Sequence, residues 1–225
     1  MSHYTLAGAQ HYAAHHRKSW RTRLTTWRER DTLRAALAQL EPLESILDVP
    51  CGVGRFWPVL AATGAQRLYA ADNSEGMLTV ARDMEPALCA RLTLLNTSVF
   101  DIALPDDAVD CTVCLRFFHH LAVSADRMQA LRELWRVSRK HVLVSLWVDG
   151  NLQARRRGAR AIVRGPTAGF GARRFISRNV IEAEFAHAGF TVRGWRDVAP
   201  GISMWRLYIL EKNVLEKNTP RALPE

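Results

Sequence analysis

Asp48, Gly52, Gly54 and Asp72 are the residues whose types and spacing point first to chemistry; they lie in SILDVPCGVGRFWPVL and in RLYAADNSEGML. Two glycines one residue apart, directly after a short apolar run, make a turn where backbone can approach a ligand closely. A dinucleotide fingerprint would continue to a third glycine three residues on. This chain has Trp57 there, which is too bulky for that close helix–strand packing. Asp48, at the end of the run, would repel a pyrophosphate but can orient an ammonium group, directly or through water. Asp72 ends the next run, twenty residues after Gly52, where an acid can accept from both hydroxyls of an adenosine ribose. The ligand that fits this set is an adenosine carrying an amino acid in place of phosphates.

A second set is His119 and His120 in RFFHHLA. Histidine titrates near neutrality and can serve as a general base toward a hydroxyl or an acidic carbon; the alternative for each is packing and backbone hydrogen bonding. Cys111 and Cys114 have the spacing of a metal or redox pair, but they lie in AVDCTVCLRF, which reads as a buried strand. Residues three apart on a strand point to opposite faces, so both are expected to pack, and no metal site is expected.

The elements that must position these groups follow from the hydrophobic pattern. Predicted strands are Ile46–Val49, Arg67–Ala71, Leu92–Asn96, Val109–Leu115 and Val142–Trp147, with helices near Trp57–Ala62, Ser74–Glu85 and Ala125–Val137 between them. Strands rich in Val, Leu and Ile that alternate with helices predict an α/β, doubly wound, mostly parallel sheet covered on both faces. A further helix starts at Ser177, a good N-cap, and stops at Gly189. Phe190–Val198 and Ser203–Leu210 are joined by a link too short for a parallel crossover, so they should pair antiparallel. Residues 1–42 read as a helical cap in which Trp20, Leu24, Trp27, Leu33 and Leu37 fall near one stripe. Residues 43–212 form the main domain, and 213–225 read as a frayed tail.

Composition narrows the partners. The 225 residues have no apolar run near the ~20 needed to span a bilayer and open without a signal-like stretch, which predicts a cytoplasmic protein with no integral membrane segment. Net charge is +9, and Arg outnumbers Lys among the 31 basic residues. Arginine's planar fork suits anionic substrates or nucleic acid. No acid falls between Asp149 and Glu182, while Arg155, Arg160, Arg173, Arg174 and other arginines do, interrupted by Gly and Pro. This insert, about 150–176, reads as a basic lid or as a solvated surface.

LDVPCGVGRF, the acid of ADNSEGM, and LPDDAVDCTVCLRFFHHL together resemble the class I S-adenosylmethionine-dependent methyltransferases, of the methyltransferase-11 and ubiquinone-biosynthesis type that acts on small molecules. Pro50 stands where the family has its first loop glycine, and proline removes that N–H. The resemblance implies a seven-stranded sheet closed by an antiparallel hairpin, with S-adenosyl-L-methionine as cofactor and S-adenosyl-L-homocysteine as product. It implies that Asp48, Cys51, Gly52 and Gly54 surround the methionine moiety and that Asp72, with Asn73 beside it, holds the ribose. Met77 would pack on the adenine, Ser98 and Val99 would meet its edge (Asp101 being the alternative to Ser98), and Leu115 would border the site. His120 matches the family's His-His-Leu pattern as a base or substrate contact, with His119 before it. Arg116, Tyr12, Arg173 and Arg174 are the expected substrate contacts. The expected acceptor is a small anionic metabolite or a lipid or quinone precursor. RNA methylation on an Arg-rich surface is the second reading, and a non-catalytic cofactor-binding protein the third. The acceptor atom (oxygen, nitrogen or carbon) and the oligomeric state stay open.

Overall fold

Side chains alternate along each strand, so the central sheet separates two apolar layers. The computed structural model describes residues 5–18, 20–156 and 175–213. Its elements run α1 (Leu6–Lys18), α2 (Trp20–Leu37), β1 (Ser45–Asp48), α3 (Trp57–Ala61), β2 (Arg67–Asp72), α4 (Glu75–Met84), α5 (Pro86–Cys89) and β3 (Leu92–Asn96). They continue with β4 (Val109–Cys114), a 3₁₀ turn at Phe118–His120, α6 (Ser124–Val137), β5 (Ser138–Trp147), α7 (Arg178–His187), β6 (Phe190–Asp197) and β7 (Trp205–Lys212). The seven strands form one sheet in the order β3-β2-β1-β4-β5-β7-β6. β1 to β5 are parallel, and β7 runs antiparallel to both β5 and β6. The expected α/β sheet with an antiparallel hairpin is therefore present, and β7 inserts between β5 and the edge strand β6.

On one face Leu47, Val142, Val144 and Tyr208 pack with Leu131 and Leu134 of α6 and Phe185 of α7. On the other, Ile46, Val113, Leu143 and Ile209 pack under Leu33 and Leu37 of α2 and Leu60 of α3. Cys111 belongs to the second layer and Cys114 to the first, as strand alternation requires. Burial raises both thiols well above their ordinary range, so they behave as small apolar side chains. A buried ion pair fastens α6 to α7: Arg127 donates from Nε and Nη2 to the Glu184 carboxylate at 2.7 and 2.6 Å.

Several local expectations need correction. Trp20, Leu24 and Trp27 are exposed, and only the second half of the α2 stripe, Leu33 and Leu37, reaches the core. Strand β5 begins at Ser138 rather than Val142, because α6 passes into it without a loop and its polar opening residues hide the start. Ser177 stands at the N-cap of α7, but its side chain makes no cap bond; Asp149 accepts from the Arg178 N–H at 3.2 Å instead. Most of the expected lid, including Arg173 and Arg174, and all but the first residue of the expected tail lie outside the described residues.

Candidate functional site

Strand order reverses between β1 and β4, and in a doubly wound sheet ligands bind beyond the strand ends at that point. The loop after β1 lies there. Cys51 donates its N–H to the Ala71 carbonyl at 2.8 Å, which fastens the loop to the end of β2. The Cys51 thiol is buried against Trp57, Ala70 and Leu78, so this residue offers a ligand its backbone rather than its sulfur. Gly52 and Gly54 both have positive φ, +55° and +72°. They differ in surroundings. A Cβ on Gly54 would sit 2.7 Å from the Trp57 ring, whereas one on Gly52 would enter open space. Trp57, the residue that argued against a dinucleotide turn, is fully buried and forms the floor on which Gly54 rests.

Two carboxylates face this loop from the sheet. Asp72 is buried and accepts from the Gly52 N–H on Oδ2 and the Ser74 N–H on Oδ1, each at 2.9 Å. Burial raises its pKa, and the backbone N–H groups of Ser74, Gly52 and Asn73 partly offset this. Beyond these backbone donors the carboxylate keeps acceptor capacity for a further donor. Asp48 is 1% exposed, and neither of its oxygens has a hydrogen-bond partner. Burial first, then the nearby Asp72 charge, push its carboxyl well above the usual range; the Trp57 indole lies near enough to oppose this, but without the geometry of a hydrogen bond. A buried, unpartnered carboxylate is costly, and a ligand cation would relieve it. The orphaned acid, the open space over Gly52 and the remaining acceptor capacity of Asp72 fit the ammonium, backbone approach and ribose hydroxyls of an amino-acid nucleoside.

The remaining sequence-derived contacts gather around this loop to different degrees. Ser74 caps α4 by accepting from the Met77 N–H at 3.2 Å, and Met77 is buried. Tyr12 of α1 packs with Met77 and Val53, so the cap helix covers the glycine loop. Asn73 follows Asp72 directly, half-buried. Thr97 donates its N–H to the Asp72 carbonyl at 3.2 Å, which brings Ser98 and Val99 alongside. Val99 is buried, while the Ser98 hydroxyl accepts from the Phe100 N–H at 3.2 Å and Asp101 is exposed. Leu115 is buried just beyond β4.

Around the turn after β4 the structure adds residues that the sequence did not flag. His119 is buried, with ring centroids 4.6 Å from Trp147 and 4.8 Å from Trp205. His120 is exposed and lies over His119 at 4.0 Å. Arg116 has φ +59°, and its N–H is held by the Ser145 hydroxyl at 2.9 Å. Its Nη1 donates to Glu29 Oε1 at 2.5 Å, and Arg55 Nη2 donates to Glu29 Oε2 at 2.7 Å. Arg116 is therefore an ion-paired wall residue, not a free surface cation. Glu29 sits in WRERD, which reads as a solvated helix face; only its burial in the fold reveals it.

Residues 47–146 match the family described as "Methyltransferase domain" (Methyltransf_11). Among solved structures the chain is similar to magnesium protoporphyrin IX methyltransferase from Synechocystis PCC 6803 with bound SAH, with a TM-score of 0.72 and 14% identity over 92% of this chain and 95% of that one. It is also similar to a SAM-dependent methyltransferase from Aquifex aeolicus, with a TM-score of 0.59 and 19% identity over 82% of this chain and 89% of that one. A stretch of 71 residues is 32% identical to ribosomal protein arginine N-methyltransferase rmt3 of Schizosaccharomyces pombe; it covers 31% of this chain and only 13% of that longer protein.

Proposed function

The chain belongs to the class I S-adenosylmethionine-dependent methyltransferases, with the family match over residues 47–146, and from that premise we propose that it methylates a small anionic acceptor. The observation that carries the cofactor part is Asp48: a buried carboxylate with two unpartnered oxygens at the end of β1, directly before the glycine loop. S-adenosylmethionine supplies the electrophilic methyl carbon and the sulfonium leaving group. Asp48 would hold the ammonium end and Asp72 the ribose hydroxyls. Asn73, Met77, Ser98, Val99 and Leu115 line the nucleoside, with Tyr12 closing over Met77.

The chain's own contribution to rate is to position the acceptor and keep water out, which can be worth ~7–11 kcal/mol. His120 is the exposed ring of the pair and takes the acceptor's proton on a ring nitrogen as the new bond to methyl forms. His119 is its positioning partner, wedged between two tryptophans and stacked beneath it. Arg116 supplies the cationic wall. An RNA acceptor is the second reading; the +9 charge and the exposed Trp20 and Trp27 on a helix rich in arginine favour it.

Transfer of labelled methyl from S-adenosylmethionine into a fractionated lysate tests the proposal. Label in small acidic metabolites supports it, label in RNA moves the function to the second reading, and no label in any fraction overturns catalysis.

A further inference from the structure

Beyond β4, β5 and β7 lies a partly open cleft between the cap helix α2 and the sheet, whose enclosed space admits little more than a water-sized group. Its walls are mainly apolar: Leu33, Phe56, Leu115, Val198, Trp205 and Leu207. Two guanidiniums enter it, and they differ in charge balance. Arg206 is neutralised by a two-point pair with Asp197, at 2.7 and 3.0 Å. Arg116 is tied only at one corner, through Nη1 to Glu29. Among the described residues nothing accepts from its Nε or Nη2.

Everything around Arg116 fixes its direction. The guanidinium lies over the Trp205 ring at 4.7 Å, the backbone N–H is held by Ser145, and φ is +59°, a conformation that strains a non-glycine residue. Strain of this kind persists where surrounding structure over-determines it, often at ligand clamps. Glu29 is 6% exposed and is itself held by Arg55, whose Nε and Nη1 are buried without partners. The cluster of Arg55, Arg116 and Glu29 thus carries one surplus positive charge in a poorly solvated place.

We propose that the Nε–Nη2 edge of Arg116 seats a carboxylate of the methyl acceptor, that Glu29 is the positioning residue that holds this fork in the cleft, and that the acceptor class is a small apolar monocarboxylate. This rests on the methyltransferase reading above. A planar carboxylate matches the free edge of a guanidinium at two points. One surplus cation balances one anionic charge, and the apolar residues at the open rim of the cleft border the body of the molecule.

The test uses 3-phenylpropionate, its neutral amide and phenyl phosphate as probes, titrated against the full chain with and without saturating S-adenosylhomocysteine. The proposal expects the acid to bind at least about tenfold tighter than the amide, the gap of a charge-assisted hydrogen bond. It also expects the acid to bind more tightly than phenyl phosphate. Arg116→Lys keeps the charge and loses the fork, so the acid-to-amide ratio should fall about tenfold; Glu29→Gln should lower the same ratio. Equal binding of acid and amide by the unmodified protein overturns the proposal without relying on any variant, as does tighter binding of phenyl phosphate. A ratio unchanged in both folded variants also overturns it. Absence of S-adenosylhomocysteine binding would remove the methyltransferase reading separately, and the probe titration without that ligand would still decide the clamp.

Discussion

The N–H of Gly52 donates to Oδ2 of Asp72 at 2.9 Å, so the loop after β1 and the acid ending β2 are one unit. A carboxylate that fixes the loop with one lone pair and keeps another for a ligand has two duties. Asp72→Ala removes both. Cofactor affinity should fall at least about a hundredfold, since each hydrogen bond to a charged group contributes about 1.5–3 kcal/mol. Calorimetric titration with S-adenosylhomocysteine checks this; unchanged affinity would take Asp72 out of the site.

Asp48 gives a pH signature. Its pKa is raised in the fold, so the folded protein binds a proton more readily than the unfolded chain does. The contribution of this carboxyl to the stability of the cofactor-free protein is therefore fully present below the ordinary carboxylate pKa and is lost as pH rises from there through the folded value. Asp72, shifted in the same direction, adds to the trend. Asp48→Asn should flatten it and raise the melting temperature at pH 8 by a few degrees, the shift that about 1 kcal/mol gives in a chain of this size. The same variant should bind S-adenosylhomocysteine more weakly. Parallel melting curves from pH 5 to 8 for both proteins would contradict the buried-charge argument.

The two loop glycines should fail differently when changed to alanine. At Gly54 the new Cβ would collide with the Trp57 ring, so Gly54→Ala should cost about 1–3 kcal/mol of stability in urea unfolding. At Gly52 the Cβ enters open space, and the fold bears only the strain of a positive φ, about 1–2 kcal/mol. Its main effect should be on ligand binding, because the methyl group fills the cradle. Equal loss of affinity without a difference in stability would remove this distinction.

Much of this was legible in the sequence. The runs rich in Val, Leu and Ile marked the strands, and the short APG link marked the antiparallel hairpin. Asp48, Gly52, Gly54 and Asp72 stood out because a ligand-binding turn is local chemistry read at fixed intervals. What stayed hidden was long-range. Glu29 meets Arg116 across 87 residues, and nothing in WRERD says which of its charges is buried. The Trp147 and Trp205 walls around His119 arise from the antiparallel register of β5 and β7, which sets those two residues opposite each other. The tryptophans of α2 failed in the other direction, since helical spacing shows that a stripe exists but not whether a sheet lies beneath it.

The two histidines should separate by assay. His120→Ala removes an exposed ring, so it should lower turnover by about 10²–10⁴-fold, the range for a general base, while leaving cofactor affinity intact. His119→Ala leaves a void between Trp147 and Trp205 and should destabilise the fold by about 2–3 kcal/mol. Full activity in the first variant would make His120 a surface residue only.

The central claim is that the cleft at the β1–β4 switch point accepts a zwitterionic nucleoside. Titration of the purified chain with S-adenosylhomocysteine, NAD and ATP in one calorimetric series tests it most directly. The account predicts saturable binding of S-adenosylhomocysteine at one site, displaced by S-adenosylmethionine, with no measurable heat from the other two. Binding of NAD or ATP without any affinity for S-adenosylhomocysteine would contradict it.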